Sequence, residues 1–267
     1  MTIKRGLATA IGLAVLAASG AAQAQLGAAI SSPVPDGIEA SQSAGFAKGK
    51  YAQLDSLPDW GGIWFLQRPD PSDGAGNQPV LKGEYEQLRE QWRADVLAND
   101  GVEQRDRSNC SPPGLPRIMR LAQYPYEFLF TPGRVTINQE AWMQTRTIWT
   151  DGREHPEYVD PTFHGHSIGH WEGDTLVVDT IGILDSLEVG EGGRHSDQFR
   201  LIERIHLSPD DPDVLVNEMR MEDPLAFAEP YEVVARYRRD RHGALIEFQC
   251  SQNDRNPVNE DGETLFL

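Results

Sequence analysis

The sequence predicts a mainly β protein, an antiparallel barrel or sandwich with one accessory α-helix. Three observations carry that expectation. From Tyr126 to Cys250, roughly eight to ten short runs of alternating or β-branched residues follow one another closely. Turn signals such as Pro132-Gly133, Asp151-Gly152 and Asp240-Arg241-His242-Gly243 divide them. Almost no helical pattern separates the runs, which excludes alternating βα architecture.

The elements follow in order. Lys4 and Arg5 precede an apolar run from Gly6 to about Leu16, and Ala22-Gln23-Ala24 supplies a small-x-small cleavage pattern. Residues 1–24 therefore read as a secretory signal peptide with Gln25 as the mature N-terminus, which implies a periplasmic or secreted protein. No later apolar run is long enough for a transmembrane helix. Residues 25–57, rich in Ala, Ser, Gly and Pro, read as a flexible leader, and residues 58–267 as a single domain. Order begins at Pro58-Asp59-Trp60-Gly61-Gly62-Ile63-Trp64-Phe65-Leu66.

Leu81 to Ala98 is the one good helical pattern. Tyr85, Leu88, Trp92, Val96 and Leu97 recur at helical spacing as one apolar face, and Asn99-Asp100-Gly101 ends it. The remaining strands are expected at Tyr126–Thr131, Arg134–Gln139, Met143–Thr150, Thr175–Ile181, Phe199–Leu207, Val214–Met221, Glu232–Arg239 and Ala244–Cys250, with a short strand before the Glu172-Gly173 turn.

The formal charge of −17, or −19 once the two cations of the signal segment are removed, argues against nucleic acid or an anionic membrane as partner. In an oxidising compartment the two cysteines, Cys110 and Cys250, are expected to pair, tying the segment before the barrel to the last strand.

The chemistry concentrates in Phe163–Thr180, where three histidines, a serine between glycines and several acids fall together. Three readings compete. Gly165-His166-Ser167-Ile168-Gly169 matches the G-x-S-x-G nucleophile elbow, but a strand and a turn follow where that motif needs a helix. His164, His166, His170 and Glu172 share strand parity and loosely resemble the cupin arrangement, which suggests a zinc or iron site, although the carboxylate lies too far along and no second cupin motif follows.

The third reading needs no cofactor. An open barrel end offers an apolar cavity, with His166, His170 or His195 as general acid or base and Glu172, Asp179 or Asp197 orienting the ring. The Glu188–Arg194 loop is a candidate lid, and Arg146, Arg153, Arg204 and Arg236 are candidate partners for a carboxylate or phenolate.

Gly62 and Trp64 form a Gly-x-Trp that resembles the first-strand signature of lipocalin-like (calycin) barrels, in which the glycine permits close backbone approach and the tryptophan plugs one end. Pro58–Trp64, Cys110–Pro116, Thr150–Pro156, Ser167–Thr180, His195-Ser196-Asp197, Glu203-Arg204 and Cys250 together resemble a widespread family of secreted bacterial proteins with the same Ser-Ile-Gly-His-Trp-Glu-Gly-Asp-Thr-Leu-Val-Val-Asp-Thr motif. That resemblance implies a signal peptide, one β-rich domain and a lipocalin-like barrel, and it implies no reaction. It singles out His155, in the Asp-Gly-Arg-x-His-Pro turn, and His195 as polar positions without an evident folding reason.

The reading that results is a lipocalin-like antiparallel β-barrel binding an apolar or aromatic small molecule. Acid/base chemistry as a lyase, isomerase or hydrolase leads, with a non-catalytic binding barrel and a metal-dependent hydrolase or oxygenase as rivals. The expected catalytic residues are His195, His166, His170, Asp197 and His155. Arg146, Arg153, Trp171, Glu172 and Asp179 are the expected ligand contacts.

Overall fold

Nine strands close into a barrel in which each strand pairs with its neighbours in sequence. The computed structural model describes residues 54, 56–68, 73, 77–101 and 111–248, all within the unit Gln53–Leu267. The expected signal peptide, most of the expected leader, and Cys110 and Cys250 with their expected bridge lie outside the described residues.

The strands are β1 (Ile63–Leu66), β2 (Tyr126–Thr131), β3 (Arg134–Gln139), β4 (Gln144–Trp149), β5 (His166–Glu172), β6 (Thr175–Ile181), β7 (Arg200–Leu207), β8 (Val214–Glu222) and β9 (Tyr231–Asp240). β9 pairs with β1 from Ile63↔Asp240 to Leu66↔Tyr237 and closes the ring. The expected lipocalin-like β-barrel is therefore present. One pairing departs from the antiparallel expectation: β4 and β5 run parallel, with Ile148 opposite Ser167 and Trp149 opposite Ile168. A parallel neighbour cannot be reached by a tight turn, so residues 150–165 form a long return connection.

The expectation of a strand at Ala244–Cys250 fails for its described part. Residues 244–248 are not a strand, because β9 already has a partner on each side and a closed barrel leaves it no free edge. The segment is held instead by the Ile246 N–H donating to Glu140 Oε2 (2.9 Å) and by Phe248 against Tyr124 and Trp142.

Helix α1 (Gly83–Ala98) is where the sequence puts it, but its inner face differs. Tyr85, Arg89, Trp92 and Val96 turn inward or sit half-buried, whereas Leu88 and Leu97 are exposed. Positions four, seven and eleven residues after Tyr85 share its face, so Arg89 takes a place the apolar reading assigned to Leu88. The 188–194 loop, expected as a lid, is packed beneath this helix. Val189, Gly192 and Gly193 are buried, and a Cβ on Gly192 would meet Trp92 at 2.5 Å.

Alternation directs every second strand residue inward. Trp60 packs at one end of the interior against Phe128, Phe130 and Trp171, with ring centroids 5.2–5.5 Å apart. Gly62 (φ +109°) would place a Cβ 2.9 Å from the Asp240 carbonyl oxygen, and Trp64 is fully buried beneath the Arg239 guanidinium.

The middle of the barrel is polar. Arg146 on β4 and Glu203 on β7 form an ion pair with no exposed side-chain surface. Arg146 also donates to Ser167 Oγ on β5 and Thr180 Oγ1 on β6, while Asn217 Nδ2 on β8 donates to Glu203 Oε1 (2.9 Å). One hydrogen-bonded row thus ties five consecutive strands.

Removing one member of a buried pair strands the other charge. Arg146→Met or Glu203→Leu is expected to cost about 3–5 kcal/mol in urea unfolding, and the double variant should be more stable than either single one. Single variants within about 1 kcal/mol of the parent would contradict a structural role for the pair.

Candidate functional site

Gly165 decides which way the histidines face. Its φ is +60°, and a Cβ there would meet the Ile181 carbonyl oxygen at 2.4 Å. This kink breaks the strand parity that His164 would otherwise share with His166. His164 is directed toward the interior polar row: its Nε2 lies 3.3 Å from Gln144 Oε1, and burial, followed by the charge of Arg146, pushes its pKa down to about 4. From His166 onward the parity expectation holds. Ser167 and Trp171 face inward, and His166, Ile168, His170 and Glu172 face out.

The outer face of β5–β7 receives the return connection. His155, carried on that segment, sets its Nδ1 2.8 Å from His166 Nδ1, and the two rings meet at 67°. On the other side of the His155 ring, the buried Nε2 lies 3.5 Å from Asp179 Oδ2 without closing a hydrogen bond to it. Asp179 points outward because Val178 and Thr180 on either side are buried. Arg200 grips the same carboxylate with two hydrogen bonds, Nε to Oδ1 (2.7 Å) and Nη2 to Oδ2 (2.6 Å). The outcome is a chain from Arg200 through Asp179 and His155 to His166.

The protons in that chain follow from its electrostatics. Two Nδ1 atoms at this distance share one proton, so one ring donates and the other accepts. Asp179 favours the proton of His155 on Nε2. His155 Nδ1 then accepts from His166 Nδ1–H, which leaves the lone pair of His166 on Nε2, an atom that solvent reaches. Burial, then the charges of His155 and Arg153, lower the pKa of His166. A neutral imidazole with an open lone pair suits a general base.

A cavity of about 370 Å³ adjoins this chain, with Asp179 and Arg200 in its wall together with Arg153 and His170. Ile168, Val177 and Ile202 supply an apolar floor. Arg153 is fixed over the Trp149 ring (3.7 Å) and held by Asp151. A larger cleft, about 590 Å³, lies on the outer wall of β7–β9, but its Arg220 is paired with Glu222 and Glu232 and its Arg204 with Glu172. No histidine lines that cleft. The smaller cavity is the better candidate because Asp179 and Arg200, one end of that chain, are in its wall; His155 and His166 are not among its lining residues.

The other expected site residues are distributed differently. Arg146 is locked inside the barrel with Glu203, so it is not open to a ligand. Trp171 packs on Trp60 and Phe130 as core. His170 and Glu172 form an exposed pair (3.2 Å) that Arg204 extends. Ser167 is buried within β5, with a strand and not a helix around it, so the elbow geometry is absent. His164, His166, His170 and Glu172 do not converge, and no group of three or more metal-ligating residues exists among the described residues. The kink at Gly165 turns His164 away from the other three, and His166 and His170 stand four residues apart along β5.

His195 is buried away from solvent, its ring 4.3 Å from Phe199 and its Nδ1 2.9 Å from the Ser196 carbonyl oxygen. Asp197 is exposed, and no hydrogen bond joins it to His195. The neighbouring hydroxyl of Ser196 donates to Asp223 (2.8 Å), which also accepts from the Leu225 and Ala226 N–H groups. These contacts give His195 and Ser196 a folding role that the sequence did not reveal.

Arg200 escaped sequence reasoning. It meets Asp179 only because β6 and β7 pair with Asp179 opposite Ile202, two residues along. Compared with protein-family models and with curated proteins, the chain matches neither a family model nor a curated protein.

The depressed pKa of His164 carries a sign. The unfolded ring protonates near pH 6.5 and the folded ring only near 4. Its contribution is complete above about pH 6.5 and is lost as pH falls toward 4. Between pH 7.5 and 5 the parent should lose about 1–2 kcal/mol more unfolding free energy than His164→Gln, measured by urea titration. Equal losses would exclude His164 as the titrating group.

Proposed function

We propose that the protein is an acid/base enzyme acting on an apolar or aromatic small molecule, as a lyase, isomerase or hydrolase, with His166 as the base. The observation that carries this reading is the 2.8 Å contact between His155 Nδ1 and His166 Nδ1, backed by Asp179. His166 Nε2 accepts a proton from the substrate. The imidazolium that forms keeps its Nδ1–H directed at His155, whose Nε2–H faces the Asp179 carboxylate. The Nδ1–H···Nδ1 contact with neutral His155 stabilises the charge on His166 in part, against the burial that lowers its pKa. The same Nε2–H then returns its proton to another substrate atom, to a leaving group, or to an oxygen left by water attack. Arg200 holds the Asp179 carboxylate in place with two hydrogen bonds.

The floor of Ile168, Val177 and Ile202 supports the apolar substrate class, and Arg153 offers a guanidinium to a carboxylate or phenolate on it. The same cavity also supports binding without turnover, as a ligand-carrying barrel. The residues 1–24 pattern supports a periplasmic or secreted location, and the shared motifs support the secreted bacterial family named above.

Deuterium exchange separates catalysis from binding. The protein is incubated in D₂O with a panel of aromatic carbonyl, ether and ester compounds, and deuterium uptake or product is read by mass spectrometry. His166→Gln and His155→Gln are expected to lose about 10²–10⁴-fold in rate with little change in melting temperature. His195→Ala should lower the melting temperature instead. Unaltered rates in His166→Gln would overturn the assignment, and a ligand that binds but is recovered unlabelled and unchanged would favour the carrier.

A further inference from the structure

Most described arginines of this acidic chain are matched to a carboxylate: Arg146 to Glu203, Arg200 to Asp179, Arg204 to Glu172 and Arg238 to Asp211. Arg68 and Arg120 are different. Neither makes a hydrogen bond or an ion pair among the described residues. Both line one small pocket of about 60 Å³, with Arg236 as the third guanidinium in its wall. Asp73 is the one acid among the lining residues, and no member of the histidine chain is among them.

Three separate segments bring these cations together, and backbone contacts hold each segment. Arg236 is on β9, where Leu66 of β1 stands opposite Tyr237. The Gln67 N–H donates to the Arg236 carbonyl oxygen (2.7 Å), which fixes the chain just before Arg68. Arg120 ends the short 3₁₀ turn Arg117–Arg120, whose Ile118 and Met119 are fully buried. Tyr237 Oη donates to the Met119 carbonyl oxygen (2.6 Å), which ties that turn to β9. Tyr126 Oη donates to the Ile118 carbonyl oxygen (2.8 Å) and accepts from the Leu121 N–H (3.0 Å). Guanidiniums carried on backbone held in this way lose less freedom when they meet a ligand.

Charge and size define the ligand. Arg236 is matched, its Nε and Nη2 donating to the two oxygens of Asp73 (2.8 and 2.9 Å). Three guanidiniums against one carboxylate leave two positive charges in excess. At physiological salt, exposed charges beyond about 8 Å are largely screened, so this local excess governs what binds, despite the net charge of −17. One water needs about 10–15 Å³ of such space, so the pocket admits about four to six non-hydrogen atoms. We propose that it binds a small divalent oxyanion of the phosphate or sulfate type. Such an anion has five heavy atoms, its two charges equal the excess, and its oxygens accept from guanidinium forks in pairs. A monocarboxylate leaves one cation unmatched.

Calorimetric titration of the full protein with sodium phosphate and with sodium sulfate tests the proposal, at constant ionic strength and with sodium acetate as the monovalent comparator. Saturation by either dianion with one-to-one stoichiometry supports it, with acetate about tenfold or more weaker. Arg68→Gln and Arg120→Gln should each weaken the dianion about tenfold with an unchanged melting temperature, since neither side chain has a partner to lose. Arg134→Gln, the same charge change at an exposed position on β3 outside the pocket, should bind as the parent does. The proposal is overturned if neither dianion saturates by about 50 mM, if acetate binds equally, or if Arg68→Gln or Arg120→Gln binds as the parent does. It is also overturned if Arg134→Gln weakens binding as much as they do, which would make the attraction one of net charge and not of this pocket.

Discussion

The ion pair between Arg146 and Glu203 is the constraint around which the barrel is organised. Both side chains are wholly buried, and neither charge is tolerable there alone. Each therefore needs the strands between them in register, because Ser167, Thr180 and Asn217 complete the hydrogen bonds that the pair leaves open. A slip of one residue along β5, β6 or β7 would turn a member of this row to the outside. The row specifies one closure of the ring, and it occupies the middle of the interior with polar side chains. The aromatic cluster of Trp60, Phe128, Phe130 and Trp171 fills another part of that interior.

With those positions taken, the chain from Arg200 through Asp179 and His155 to His166 lies on the outer wall. The parallel pairing of β4 and β5 makes this possible. An antiparallel hairpin would have joined them in a few residues, whereas the parallel pair requires the chain to travel back along the barrel. His155 rides on that return and meets His166 and Asp179, which come from two different strands. The site is thus assembled from a connection and a wall. Gly165 then separates two neighbouring histidines by environment: His164 turns to the buried arginine and loses its basicity, and His166 turns to the surface.

Part of this was legible in advance. The alternation in Gln144-Thr145-Arg146-Thr147-Ile148-Trp149 and in Leu201–Leu207 grouped Arg146 with Gln144 and Ile148, and Glu203 with Leu201 and Ile205; that both groups face inward and the two charges pair came only with the fold. His155, His166 and Asp179 were each identifiable as candidate site residues. Their meeting was not, because His155 belongs to no strand and has no register to read. Arg89 was hidden for a related reason: a helical stripe is recognised by its apolar members, and a cation within it passes for a surface residue.

Period-two alternation and glycine-rich turns are local properties, and they were sufficient for an antiparallel β class and the two alternating faces of each strand, as the helical spacing was for the accessory helix. Long-range pairing is not local. Closure of β9 on β1, the parallel step from β4 to β5, the burial of His195, and the convergence of His155 on His166 and Asp179 each depend on segments distant in sequence. Those were settled by packing and register across the whole ring, where the energy of each contact depends on the strands that bring it together.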